Sequence, residues 1–164
     1  ERLDRYAPGG YHPVVLGDTF CDGRYTIRHK LGHGGFSTVW LARDNREEIW
    51  VSIKIRQARV STAQLDDDPE LKVLGQLEQH YLDTHSKKAR CYAEPRDSFQ
   101  HTGPNGTHNC LVSELLGPTL GAVLHCLNHI DIRETLRPDT ILRASNQLLE
   151  AVEFIHQAGI AHGG

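Results

Sequence analysis

The chain has 164 residues, of which 24% are charged, and a net charge of -3 at pH 7. That length suits one medium domain, or a small domain with part of a second, and the charge balance argues against both disorder and a nucleic-acid binder held by bulk positive charge. No window approaches the roughly 20 apolar residues of a spanning helix. The opening ERLDRYAPGG lacks a secretory signal pattern, so a cytoplasmic or nuclear location is expected. There is no methionine and residue 1 is Glu, as expected of a processed chain or a fragment.

The first strong signal is GRYTIRHKLGHGGFSTVWLARD. Tyr25, Ile27 and Leu31 predict a strand that enters a glycine cluster at Gly32, Gly34 and Gly35. Phe36, Thr38, Val39, Trp40 and Leu41 then predict a second strand, with no helix start between them. After the turn signal Asp44-Asn45, the residues Ile49, Val51, Ile53 and Ile55 alternate at period two, a third strand of the same meander.

A helix follows. Asp68 can cap it, Pro69 suits its first position, and Leu71, Leu74, Leu77 and Leu82 form an apolar stripe with Glu70 beside it. Two more strands are expected, roughly over 91–100 and 108–114, joined by HTGPNGTH with its Asn-Gly turn. A short helix after Gly117-Pro118 and a longer one carrying Ile141, Ala144, Leu148, Val152 and Ile155 complete the chain, the latter between Pro138 and Gly159. Strands first and helices after give an α+β layout with a boundary near 115–118.

Several residue types carry no chemistry. Cys21, Cys91, Cys110 and Cys126 are far apart with no CxxC pair, and read as reduced thiols. His125 and His129 stand four apart on an expected helix, but without a third ligand nearby they read as solvated or partly packed rather than metal-binding. The sequon Asn105-Gly106-Thr107 is without consequence in an unsecreted chain.

The glycine cluster is different. Its spacing, Gly32-His33-Gly34-Gly35-Phe36-Ser37-Thr38-Val39, is close to G-x-G-x-x-G-x-V with Ser37 at the third glycine. Glycines let a backbone approach phosphates because no Cβ intervenes. A hairpin turn that merely needs glycine is the alternative. A dinucleotide fold would need a helix straight after the glycines, and a Walker loop would need Gly-Lys-Ser/Thr. A phosphate-covering loop between antiparallel strands remains, and it demands a lysine on the third strand and a carboxylate on the next helix. Lys54 interrupts the third strand's apolar alternation on the face opposite Ile53 and Ile55, and Glu70 follows sixteen residues later. Pro69 puts Glu70 on the first helical turn, with Glu78 as the fallback two turns on.

With these residues in place the chain resembles the eukaryotic protein kinases over nearly its whole length, and more narrowly the kinases of serine/arginine-rich splicing proteins. The likeness is carried by YAPGGYHPVVLGDTFCDGRYTIRHKLGHGGFSTVWLARD, by NGTHNCLVSELLGPTL and by QLLEAVEFIHQAGIAHGG. It implies a five-stranded antiparallel N-lobe sheet with its αC helix, followed by the first helices of a truncated C-lobe. The corresponding divisions are a lead-in over 1–24, an N-lobe over 25–116, and a hinge and beginning of the C-lobe over 117–164.

The resemblance also assigns residues. Leu31 and Val39 would sandwich adenine, and Gly32, His33, Gly34, Gly35, Phe36 and Ser37 would cover the phosphates. Lys54 would hold the phosphates and pair with Glu70. Ser113 would be the gatekeeper, smaller than usual and opening space behind adenine, with Glu114, Leu115 and Leu116 as the hinge. Ser52 replaces the usual Ala before the lysine. ATP and Mg²⁺ are implied, as are an Arg/Ser-rich protein substrate and a monomer that binds neither nucleic acid nor membrane.

His162-Gly163 matches the start of the family's His-x-Asp catalytic loop, but Gly164 stands where the base Asp belongs. The metal-binding Asn and Asp-Phe-Gly have no counterpart here. The expectation is therefore an ATP-dependent Ser/Thr kinase represented by an inactive, truncated piece. The alternatives are a non-catalytic, pseudokinase-like module that binds nucleotide or a partner, and a degenerate product without a stable fold.

Overall fold

The computed structural model describes residues 1–84, 90–130 and 137–161, with 127–130 as backbone only. They form two units, described separately: residues 1–75 with 92–115, and 76–91 with 116 onward.

The first unit is built on strands β1 (Thr19–Phe20), β2 (Tyr25–His33), β3 (Ser37–Asp44), β4 (Ile49–Arg56), β5 (Pro95–Gly103) and β6 (Gly106–Glu114). They make one sheet in the order β1-β2-β3-β4-β6-β5, antiparallel throughout. The sheet thus has six strands, not five. The extra one, β1, pairs Thr19 with Thr26 and Phe20 with Tyr25, and two residues are too few to show a period.

Alternation explains the core. On β4, Val51, Ile53 and Ile55 are buried while Ser52, Lys54 and Arg56 point to the other face. They pack with Phe20, Tyr25, Ile27, Trp40, Ala42, Cys110 and Val112. Tyr25 stacks on Phe99 with ring centroids 5.7 Å apart, and its hydroxyl donates to Asp97 Oδ2 over 2.7 Å. Arg24 ties the same carboxylate to Asp44, at 2.9 Å to each.

The last hairpin corrects the expected boundaries. Its strands run on to Gly103 and Gly106, so the connection is only Pro104-Asn105, and β5 begins at Pro95. Gly106 has φ of 125°, and a Cβ there would stand 2.7 Å from that of Ala58, so the turn requires glycine. Asn105 donates its side-chain amide to the Tyr11 carbonyl over 2.7 Å, which occupies the sequon.

Helix α1 (Pro69–Asp83) starts in the first unit and runs into the second, which also holds α2 (Leu120–Ile130) and α3 (Pro138–Gln157). In the second unit Phe154 of α3 meets His80 and Tyr81 of α1, with centroids at 4.9 and 6.4 Å. Gln76 donates to the Ala158 carbonyl over 2.7 Å, and Gly159 ends the α3 turn with φ of 77°. The stripes expected on these helices are only partly buried. Leu77 is enclosed, but Leu82 in the last turn of α1 and Ile141 and Leu148 of α3 are exposed. No described helix is long and apolar enough to cross a membrane.

Candidate nucleotide-binding site

The site is assembled on the β2–β3 hairpin, the polar face of β4 and the first turn of α1. Cross-strand register sets Val39 opposite Lys54, and Lys54 opposite Leu111. Two rungs further, Ser52 lies opposite Ser113 with their hydroxyls 2.9 Å apart. Lys54 Nζ stands 2.7 Å from both carboxylate oxygens of Glu70, the second residue of α1. Each partner is 36% exposed, so the pair is open to solvent and its net stabilisation is small, of order 0.2–1 kcal/mol. Its value lies in holding the ammonium in place. Glu78, two turns on, pairs instead with Arg90 at 2.7 Å.

The glycine loop forms the hairpin tip. The Gly34 N–H donates to the Ser37 carbonyl over 2.8 Å, closing the turn. None of Gly32, Gly34 and Gly35 has a positive φ, and a Cβ on Gly32 or Gly35 would meet nothing within 4 Å. The hairpin itself therefore does not demand glycine at these positions. Leu31 and Phe36 are exposed, Val39 is half-buried and Ser37 is buried, while His33 is exposed at the end of β2.

Three side chains that sequence reasoning passed over hold this loop from behind. Tyr11 donates its hydroxyl to the Gly34 carbonyl over 2.7 Å, Arg5 donates to the Gly35 carbonyl over 2.9 Å, and Gln57 reaches the same oxygen at 3.4 Å. Tyr11 sits in the Gly-Gly-Tyr-His stretch, where an aromatic directly after two glycines was the available signal. These bonds engage the Gly34 and Gly35 carbonyls from the first unit's own side and tether the tip.

At the end of β6 the Glu114 N–H donates to the Glu94 carbonyl, and the Glu114 carboxylate accepts the Glu94 N–H over 3.0 Å. The Glu114 carbonyl accepts a long contact from the Ser52 hydroxyl, 3.4 Å. Leu115 and Leu116 are exposed. His162, Gly163 and Gly164 lie outside the described residues, as does the side chain of His129. Cys21, Cys91 and Cys126 are exposed free thiols and Cys110 is a buried one. Among the described residues no three His, Cys, Asp or Glu gather as a metal-holding group.

The chain is similar to several protein kinases. It is 37% identical over 165 residues to serine/threonine-protein kinase SKY1 of Saccharomyces cerevisiae, covering 99% of this chain and 21% of that protein. It is 33% identical to protein kinase dsk1 of Schizosaccharomyces pombe, covering 99% of this chain and 29% of the relative. With human SRSF protein kinase 3 it shares 38% identity over 151 residues, 92% of this chain and 25% of that protein. The chain thus spans less than a third of the length of these relatives. No protein-family model matches it. Along 92–99% of its own length, the chain is similar to serine/threonine protein kinases of the SR-protein-kinase type.

Proposed function

We propose that this chain supplies the nucleotide-cradling part of an ATP-dependent kinase acting on Ser/Thr of Arg/Ser-rich proteins. The observation that carries the proposal is the Lys54–Glu70 pair, set beside Val39 and below a glycine loop whose glycines the fold itself does not need. Lys54 then neutralises phosphate charge while Glu70 orients it, and the bare loop lets backbone N–H groups approach the phosphates. Adenine lies against Leu31 and Val39, with the Glu114 carbonyl as a hinge partner. Ser113 leaves room behind it. The divisions at 1–24, 25–116 and 117–164 follow the same kinase plan, with the later helices as the start of a C-lobe.

Mg²⁺ does not fit a donor set among the described residues, because Glu70 is already engaged by Lys54. No step is routed through a metal here. Of the 164 residues, the one after His162-Gly163 is Gly164, which has no side chain to orient a hydroxyl. By themselves these residues therefore transfer no phosphoryl group.

A phosphorylation assay with labelled ATP and an Arg-Ser peptide tests both halves of this reading. The protein expressed from its full coding sequence is expected to label the peptide, and Lys54→Ala to abolish labelling. The 164-residue chain alone is expected to label nothing and to show little or no rise in melting temperature with Mg-ATP. Phosphorylation by the chain alone would overturn the inactivity, and none by the full protein would overturn the kinase assignment.

A further inference from the structure

Two ion pairs lie side by side at the start of α1. Lys54 and Arg56 share one face of β4, and Glu70 and Asp68 meet them, both pairs at 2.7 Å. Their surroundings differ. The Lys54–Glu70 pair is part-exposed, whereas Asp68 is fully buried.

Asp68 is held from three sides. Its Oδ1 accepts from the Arg56 guanidinium on β4, and from the Glu70 N–H over 2.9 Å. Its Oδ2 accepts from the Asn109 amide of β6 over 2.7 Å. Asn109 is itself fixed, donating to Thr62 Oγ1 over 2.9 Å and accepting from Gln100 Nε2 over 3.0 Å. Burial works to raise the Asp68 carboxyl, but the Asn109, Glu70 and Arg56 bonds outweigh it and hold it below the usual carboxylate range.

An exposed Asp would cap the helix equally well. Burying a carboxylate is costly unless every bond is satisfied, and a fully satisfied buried network fixes one arrangement of the elements it joins. The two neighbouring acids, Asp66 and Asp67, are exposed. Helix capping alone does not explain why only the third acid is enclosed.

We propose that Asp68, with Arg56 and Asn109, is a positioning residue that locks the first turn of α1 to β4 and β6 and so sets Glu70 against Lys54. The fold itself, rather than a helix free to swing, then determines whether the lysine is paired. This rests on the kinase reading only for the use to which the pair is put.

The test is limiting acetylation of the full 164-residue chain, with Lys54 labelling read by mass spectrometry against Lys30 on β2. Glu70→Gln sets the unpaired limit, expected at about fivefold faster labelling of Lys54. Asp68→Asn turns an amide N–H toward the Arg56 or Asn109 donors and is expected to speed labelling by at least about twofold. The swap Asp68→Asn with Asn109→Asp restores a donor facing an acceptor, in the reverse sense, and is expected to return labelling close to the parent rate. Should Asp68→Asn not fold, Arg56→Gln replaces it, since the Arg56 side chain borders solvent and its loss is expected to act in the same direction.

Unchanged Lys54 labelling in a cooperatively melting Asp68→Asn or Arg56→Gln chain overturns the lock, and so does a folded swap that fails to recover. No change in Glu70→Gln overturns the pair itself. The kinase reading is judged separately, by whether ATP slows Lys54 labelling in the protein expressed from its full coding sequence.

Discussion

Ile53 and Lys54 are adjacent on β4 and have opposite surroundings. Ile53 is fully buried in the sheet core, so Ile53→Ala leaves a cavity and is expected to cost about 2–4 kcal/mol of stability. Lys54→Ala removes one partner of a part-exposed pair and is expected to cost under about 1 kcal/mol. Urea denaturation of the two variants checks the contrast, and equal losses would contradict it. This division was legible from the sequence, because period-two alternation decides which face each residue takes. Asp68 was legible only as a cap. Nothing local separates it from Asp66 and Asp67. Its burial depends on Asn109, which lies 41 positions later in the chain. Single residues that act through distant partners leave no periodic trace.

Between elements, an unusual join is made by imidazoles. His12 from the lead-in packs against His101 of β5 and His108 of β6, with ring centroids at 4.5 and 5.1 Å, and Phe20 of β1 closes the group. The His12 Nδ1 and His108 Nε2 atoms are buried and have no hydrogen-bond partner among the described residues. Burial first, and then the neighbouring His101 and His108, push His12 down from 6.5 to about 4, with Asp18 opposing. Burial also lowers His101, which faces His108 and Asp18, and His108, which bonds the Arg56 carbonyl.

These groups bind protons more readily in the unfolded chain than in the folded one. Stability is therefore full above about pH 6.5 and falls as pH drops toward about 4. The lowered carboxylates, Asp44 and Asp68, act below that window, losing their contribution only as pH falls beneath about 4. Melting curves of the parent and of His12→Phe between pH 7.5 and 4.5 separate the two effects. The parent midpoint is expected to fall across the range and the variant to fall less. A flat parent profile would contradict the histidine account.

At this scale the long alternating strands and α1 were legible, while β1 was not. The early part of β5, Pro95 to Gln100, carries little apolar alternation, so its start was placed four residues too soon. The Pro-Asn-Gly signal located the last hairpin but not the length of its turn.

Taken whole, the chain pairs a well-enclosed six-stranded sheet with a helical unit that keeps much of its apolar stripe in solvent. The family was legible because kinase-type residues recur at fixed offsets: glycines at 32, 34 and 35, the lysine at 54, the glutamate at 70. Such spacing follows from the needs of phosphate binding. The central claim is that Lys54 stands where ATP phosphates would lie. The most direct measurement treats the protein expressed from its full coding sequence with an acyl-phosphate derivative of ATP, which hands its acyl group to an amine beside the phosphates, and identifies the modified residue by mass spectrometry. The expected result is preferential acylation of Lys54, suppressed by excess ATP and lost on opening the loop's tether with Tyr11→Phe only in part. Lys54 left unmodified in that folded protein, or modified regardless of competing ATP, would contradict the claim.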